Sequence, residues 1–437
     1  MAVNTAMNES FLHYLWLHQH FYSERLFTTG GEIVEVLHPG TYNLHAGPDF
    51  FSARLRIGAT SWAGNVEIHV RSSDWNRHRH REDPLYTNCI LHVVWEHDTE
   101  VCGVDGIVLP TLEVKDKFDE KLSSNYQVLL QGEHILACRQ FLPAVHPVVR
   151  SLVLDRMMVE RLEHRSTLMI RLLESTTWHW EEAFFHALAR NFGFHVNADA
   201  FERLARAVPY ASLLRLRDRL LSLEAILFGQ AGFLSADMED DYAAQLRAEY
   251  LFQQRRLRLK PLANPGWKFL RMRPANFPTV RIAQLAMVLH ASFPVFQQCT
   301  MAERLEDVVS IFRVGVSPYW RSHLRPDVTT VMNDHVIGEA SIHLLIINTV
   351  IPFLFLRGRK TGDDSLCEKA IQWLGVLPPE DNAVLRSWTK AGWIPRTASE
   401  SQALLQLHDN YCAPKKCINC TIGNQFILSP HDSNSFI

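Results

Sequence analysis

The hydrophobic pattern of this chain changes period once, near residue 145, and that change limits the architectures open to it. Between Glu32 and Val114, apolar residues alternate with polar ones or run together over short stretches bounded by Gly, Pro and Asp. From about His146 they recur every three to four residues over long stretches rich in Leu, Arg, Glu and Ala. A period of two marks strands, and a period near 3.6 marks amphipathic helices. At 437 residues the chain is longer than one ordinary core organises. The expectation is an α/β domain over 1–143 followed by a large, mainly α-helical domain over 144–437. The boundary falls at Phe141-Leu142-Pro143 and His146-Pro147.

Within the first domain, Asn8 is placed to cap a helix that runs to about Tyr22. Strands follow over Glu32–Leu37, Asp49–Ile57 and Trp62–Val70, separated by Gly-rich turns. In the third strand Val66, Ile68 and Val70 alternate with Glu67, His69 and Arg71, which predicts one core face and one polar face. Ser72-Ser73-Asp74 predicts the start of a short His-rich helix ending near Pro84. The apolar run Cys89–Trp95 predicts a strand buried on both faces, and Gly106–Val114 one more. The order is helix, three strands, helix, strand, strand. In the second domain Val148–Glu174, Trp180–Phe192, Ala198–Leu227, Asp240–Leu257 and Thr279–Phe293 read as helices. The run Ile342–Leu356 is short for a membrane span and contains Asn348, Thr349 and Pro352, so a buried core helix is expected, with no membrane partner.

The stretch Gly47-Pro48-Asp49-Phe50, followed by Val66-Glu67-Ile68-His69-Val70, carries the chemistry. An acid at the mouth of one strand and an acid within the next can converge on one divalent ion, and His69 shares a strand face with Glu67. The element order and these residues resemble the PD-(D/E)xK nuclease superfamily over roughly residues 8–115. The resemblance implies a restriction-endonuclease-like mixed sheet and Mg²⁺ or Mn²⁺ held by Asp49 and Glu67. It also implies cleavage of nucleic-acid phosphodiesters, of DNA in preference to RNA. Where that motif has lysine, this chain has His69. An imidazole acts as a base near neutral pH, or binds the metal and favours a softer ion, but it supplies no permanent positive charge. Arg71, on the same face, is a candidate for that charge. Two functions are open: an active metal-dependent nuclease, and an inactive nuclease-like fold that binds nucleic acid or acts as a scaffold. His45, Glu35 and Glu24 are neighbouring candidates whose plainer role is at the surface.

Residues 74–83 read Asp-Trp-Asn-Arg-His-Arg-His-Arg-Glu-Asp. His78 and His80 share a face if the segment is extended and diverge if it is helical. Arg77, Arg79 and Arg81 between them suit phosphate better than a zinc ion. A phosphate-facing border, a solvated helix and a zinc hydrolase site with a non-nucleic substrate are all open.

Of the eight cysteines, Cys412, Cys417 and Cys420 lie within nine residues near the C-terminus. That spacing can chelate zinc or an iron–sulfur cluster, with Cys138, Cys367 or His408 as candidate fourth ligand. An iron–sulfur subgroup of the same nuclease superfamily is similar in grouping three cysteines with one remote cysteine, at different spacing. The five remaining cysteines are scattered, which fits a reducing, cytoplasmic setting. Net charge is −3, so nucleic-acid binding requires a local basic patch. Arg271 and Arg273, with Trp267, Phe269 and Phe277 nearby, form one such candidate. The whole chain is also similar to an uncharacterised bacterial family that shares the Gly-Pro-Asp-Phe, Val-Glu-Ile-His, Ser-Asp-Trp and Lys-Lys-Cys stretches.

Overall fold

A computed structural model describes residues 7–429, apart from 23, 25, 133, 235, 236 and 264. The chain forms two compact units. The first comprises the residues up to Val145 together with those from His408 onward, and the second is His146–Leu407. Periodicity alone grouped the Cys-rich tail with the helices that precede it. The chain instead leaves the first unit once and re-enters it at His408.

The first unit is built on a mixed sheet, as expected from the alternating pattern. Its elements are α1 (Glu9–His18), β1 (Val34–His38), β2 (Thr41–Tyr42), β3 (Phe50–Ile57), β4 (Thr60–Arg71), α2 (Asp74–Arg77), β5 (Cys89–Glu96), β6 (Thr111–Glu113) and α3 (Glu120–Gln131). The strand order is β1-β3-β4-β5-β6, with β2 beside β3. β1, β3 and β4 run antiparallel, whereas β4 pairs parallel with β5, and β5 with β6. β4 is therefore central. Gly64 permits its junction with β5, since a Cβ there would lie 2.4 Å from Ile90 Cγ2 and 2.7 Å from the Asn88 carbonyl. α1 is capped by Asn8, whose Oδ1 accepts the Ser10 N–H at 2.8 Å. It ends earlier than expected, at His18, because Gln19 turns left-handed. Phe11, Leu12, Leu15 and Trp16 of α1 are buried, and Phe11 stacks on Tyr126 of α3 with centroids 5.1 Å apart.

The second unit is helical, beginning with α4 (Pro147–Ser175), α5 (Trp180–Phe192) and α6 (Ala198–Ala207). The single helix expected over Ala198–Leu227 is three pieces, Ala198–Ala207, Tyr210–Leu216 and Leu220–Gln230. Pro209 lacks the N–H that would continue the first piece. Phe184, Phe296 and Phe353 pack ring to ring in its core. The run Glu339–Thr361 is the one helix among the described residues long and apolar enough to cross a membrane, and 67% of its most apolar window is buried. Its polar interruptions are satisfied within the unit. Asn348 Oδ1 accepts from Arg165 at 2.9 Å, and Thr349 Oγ1 accepts from Asn191 at 2.7 Å.

Candidate metal centre

β4 differs from the alternating strand expected of it. Glu67 and His69, predicted on a polar outer face, are as buried as Val66 and Ile68, because segments after β4 fold back over that face. Arg71, two residues on, is exposed and lies 3.6 Å from Glu96.

The covering segment is set by the Ser-Asp-Trp stretch. Buried Ser72 places its hydroxyl 2.9 Å from Asp98 Oδ1 and accepts the Asp98 and Thr99 N–H groups at 3.0 Å. Trp75 is fully buried and donates to the Cys102 carbonyl at 3.0 Å. α2 stops at Arg77, and Arg79 takes a left-handed conformation with φ 61°. The short helix expected to end near Pro84 therefore ends at Arg77, and His80–Glu82 form a separate helical turn. The left-handed residue turns both flanking imidazoles onto His69, at ring-centroid distances of 5.0 Å for His78 and 5.2 Å for His80. Tyr86 stacks on His80 at 3.9 Å, and Trp75 meets it edge-on, which fixes the ring.

Three imidazole nitrogens converge, with a carboxylate oxygen against two of them. His69 Nε2 lies 3.2 Å from His78 Nδ1 and 3.3 Å from His80 Nε2. Glu67 Oε1 lies 3.2 Å from His80 Nε2 and 3.5 Å from His69 Nε2. A tetrahedral ion with metal–nitrogen bonds of ~2.0–2.1 Å needs ligand atoms roughly 3.3 Å apart. The three imidazole nitrogens all lie within 4.8 Å of one another, and His78 is the solvent-exposed member. His69 Nδ1 sits 2.8 Å from His92 Nε2. With the proton on His69 Nδ1 and donated to His92, the Nε2 lone pair faces the His78 and His80 nitrogens.

Burial, then His92, His80 and His78, pushes His69 down to about 2, so its imidazole is neutral. Burial also lowers His80, and lowers His92 to about 3. Burial, then the Asp49 carboxylate, holds Glu67 well above the usual carboxylate range.

Asp49 and Glu67 do come together, but through each other's backbone. The Asp49 N–H donates to Glu67 Oε2, and the Ile68 N–H to Asp49 Oδ2, both at 3.0 Å. Asp49 Oδ2 also stands 3.2 Å from His13 Nε2 of α1. Glu9, one helical turn before His13, is raised by burial and then by Asp49. Sequence reasoning missed Glu9 and His13, although their i,i+4 spacing on α1 marks one helix face. His92, on β5, is the buried partner of His69.

Other candidates lie elsewhere. Arg77 pairs with Asp74 at 2.9 Å, Glu35 is exposed and pairs with Arg56 at 2.8 Å, and His45 is exposed in the loop before Asp49. Arg271 and Arg273 are exposed in the second unit. The aromatics beside them are engaged: Trp267 donates to the Ala231 carbonyl at 2.8 Å, and Arg325 covers Phe269 at 3.9 Å. Cys412, Cys417 and Cys420 lie in the first unit with Cys138. Cys367 belongs to the second unit and donates to the Phe355 carbonyl.

No curated protein and no solved structure is matched by this chain. Residues 9–383 match a family described as Protein of unknown function (DUF2851), which spans α1, the whole sheet and most of the helical unit. The chain belongs to that family.

Proposed function

We propose that this protein is a metal-dependent hydrolase of phosphodiesters, with nucleic acid as its substrate. The observation that carries the reading is the convergence of the His69, His78 and His80 nitrogens within 4.8 Å of one another, with Glu67 Oε1 3.2 Å from His80 and 3.5 Å from His69. Three imidazoles and one carboxylate suit zinc or another borderline divalent ion better than Mg²⁺, which prefers oxygen ligands. The bound ion would polarise the phosphoryl group and acidify an attacking water. Exposed His78 marks the side from which water and substrate enter. Asp49, fixed by the Ile68 N–H and set against His13, accepts the proton from that water. Arg79 and Arg81 are exposed on either side of His80 and supply positive charge for the phosphate backbone.

The test combines metal analysis with hydrolysis of single- and double-stranded DNA and RNA under Zn²⁺, Mn²⁺ and Mg²⁺. The expected result is one zinc or manganese ion per chain, counted apart from any iron held with sulfide, and lost with activity in a His69→Ala/His78→Ala double variant. Stoichiometric binding of that ion in the double variant would end the assignment.

A binding-only function is the second reading. It is favoured because the position expected to hold lysine is a buried, neutral imidazole. Salt-sensitive DNA binding without cleavage under any of the three metals would select it.

A further inference from the structure

The three tail cysteines are joined in the first unit by a fourth from the other side of the helical unit in sequence. The tail packs on α3. Its helix, Thr421–Ile427, is held by buried Asn125, whose Nδ2 donates to the Ile427 carbonyl at 3.1 Å, and Lys415 Nζ donates to the Leu130 carbonyl. Phe426 meets Phe141 edge-on at 5.5 Å. Cys138 lies in the turn between those anchors, and its carbonyl accepts the Phe141 N–H at 2.9 Å. Lys415 is left-handed with φ 53°, reversing the chain between Cys412 and Cys417. A Cβ at Gly423 would lie 2.1 Å from the Cys417 carbonyl oxygen, so only glycine lets the tail helix close on this turn.

All four cysteines are free thiols. Each interacts electrostatically with the other three.

We propose that Cys138, Cys412, Cys417 and Cys420 are the four thiolate ligands of an iron–sulfur cluster that fastens the tail to the first unit. Spacing separates a cluster from a single zinc ion. Thiolates on one zinc stand only about 3.8 Å apart, given Zn–S bonds of ~2.3 Å. Among the described residues, no set of cysteines reaches the mutual 4.8 Å spacing that His69, His78 and His80 show. Ligands bound to different irons of one cluster stand wider apart. On assembly each thiol gives up its proton and its sulfur bonds one iron.

The experiment uses the full chain purified without oxygen. Iron, acid-labile sulfide and visible absorption are measured for the wild type and for Cys138→Ser, Cys417→Ser and Cys367→Ser. The expected result is iron and sulfide in equal amounts, roughly two or four of each per chain, with broad visible absorption. Both should be lost in Cys138→Ser as fully as in Cys417→Ser and retained in Cys367→Ser. The wild-type measurement does not depend on any variant folding. Sulfide-free wild-type protein, whether it carries zinc or no metal at the tail, overturns the proposal, as does an intact cluster in Cys138→Ser. An ion at the imidazoles brings no sulfide, so the fate of that site is read separately.

Discussion

Asp49 and Glu67 each hold the backbone beside the other. Glu67 Oε2 accepts the Asp49 N–H and Asp49 Oδ2 accepts the Ile68 N–H, both at 3.0 Å. This reciprocal clamp crosses from β3 to β4 at the start of β3. It leaves Glu67 Oε1 to face the imidazoles and Asp49 to face His13, so the two acids have different work. Glu67→Ala is expected to lose both bound ion and hydrolysis. Asp49→Ala is expected to keep the ion and lose hydrolysis by roughly 10²–10⁴-fold, the usual contribution of a positioned proton acceptor. It should also cost about 1–3 kcal/mol of stability, because the Ile68 N–H loses its acceptor. Metal content and rate measured on the same preparations check this. Undiminished hydrolysis in Asp49→Ala would remove Asp49 from the reaction.

His78 is the exposed member of the imidazole set, and His92 is a buried residue 2.8 Å from His69 Nδ1. His78→Ala removes a ligand without opening a core cavity. It should abolish stoichiometric ion binding while leaving the stability of chelator-treated protein within about 0.5 kcal/mol of wild type. His92→Ala removes the group that orients His69 Nδ1. It should weaken ion affinity by about 10–100-fold without abolishing binding. Competition titration against a chromophoric chelator separates the two outcomes. Equal losses in both variants would contradict the ligand and positioning roles given to them.

The fold was legible where one periodicity covered a whole element. Alternation located β3 and β4, and the unbroken run Cys89–Trp95 located β5. The centre was only half legible. Asp49, Glu67 and His69 stand out because they sit on or beside strands of known direction. How His78 and His80 meet them depends on one left-handed residue, Arg79, which no apolar pattern encodes. Glu9 and His13 reach the same place from a helix, through packing that periodicity does not specify. The return of the chain at His408 is a long-range contact, and the spacing of Cys412, Cys417 and Cys420 pointed to a missing partner without choosing it.

Gly64 marks where β5 begins to pair with the central strand. A side chain there would meet the Asn88 carbonyl at 2.7 Å, and backbone yields less readily than a flexible side chain. Gly64→Ala should destabilise the protein by about 1–3 kcal/mol through overpacking. The shift should carry over to the centre, since Glu67 and His69 lie three and five residues further along β4. Denaturant unfolding combined with ion titration checks both effects. Unchanged stability in Gly64→Ala would show that β5 can move away at no cost.

The turn after β4 carries a pH dependence independent of the ion. Burial alone would raise Asp98. Hydrogen bonds from the Ser73 hydroxyl and N–H and from the Ser72 hydroxyl outweigh it and hold the carboxyl down at about 2. An aspartate in an unfolded chain titrates near ~3.9. The folded state therefore binds the proton less readily, and the contribution of these bonds is fully present above roughly pH 4. It is lost as pH falls from there through about 2. Asp98→Ala should be less stable than wild type near neutral pH, and the gap should close as pH falls through that window. The same substitution should loosen Ser72 and Ser73, and with them the approach of α2 and His78 to the centre. Urea unfolding of both proteins across that pH range, with excess chelator present, measures the gap. A gap that stays constant with pH would mean that Asp98 acts through packing and not through its charge.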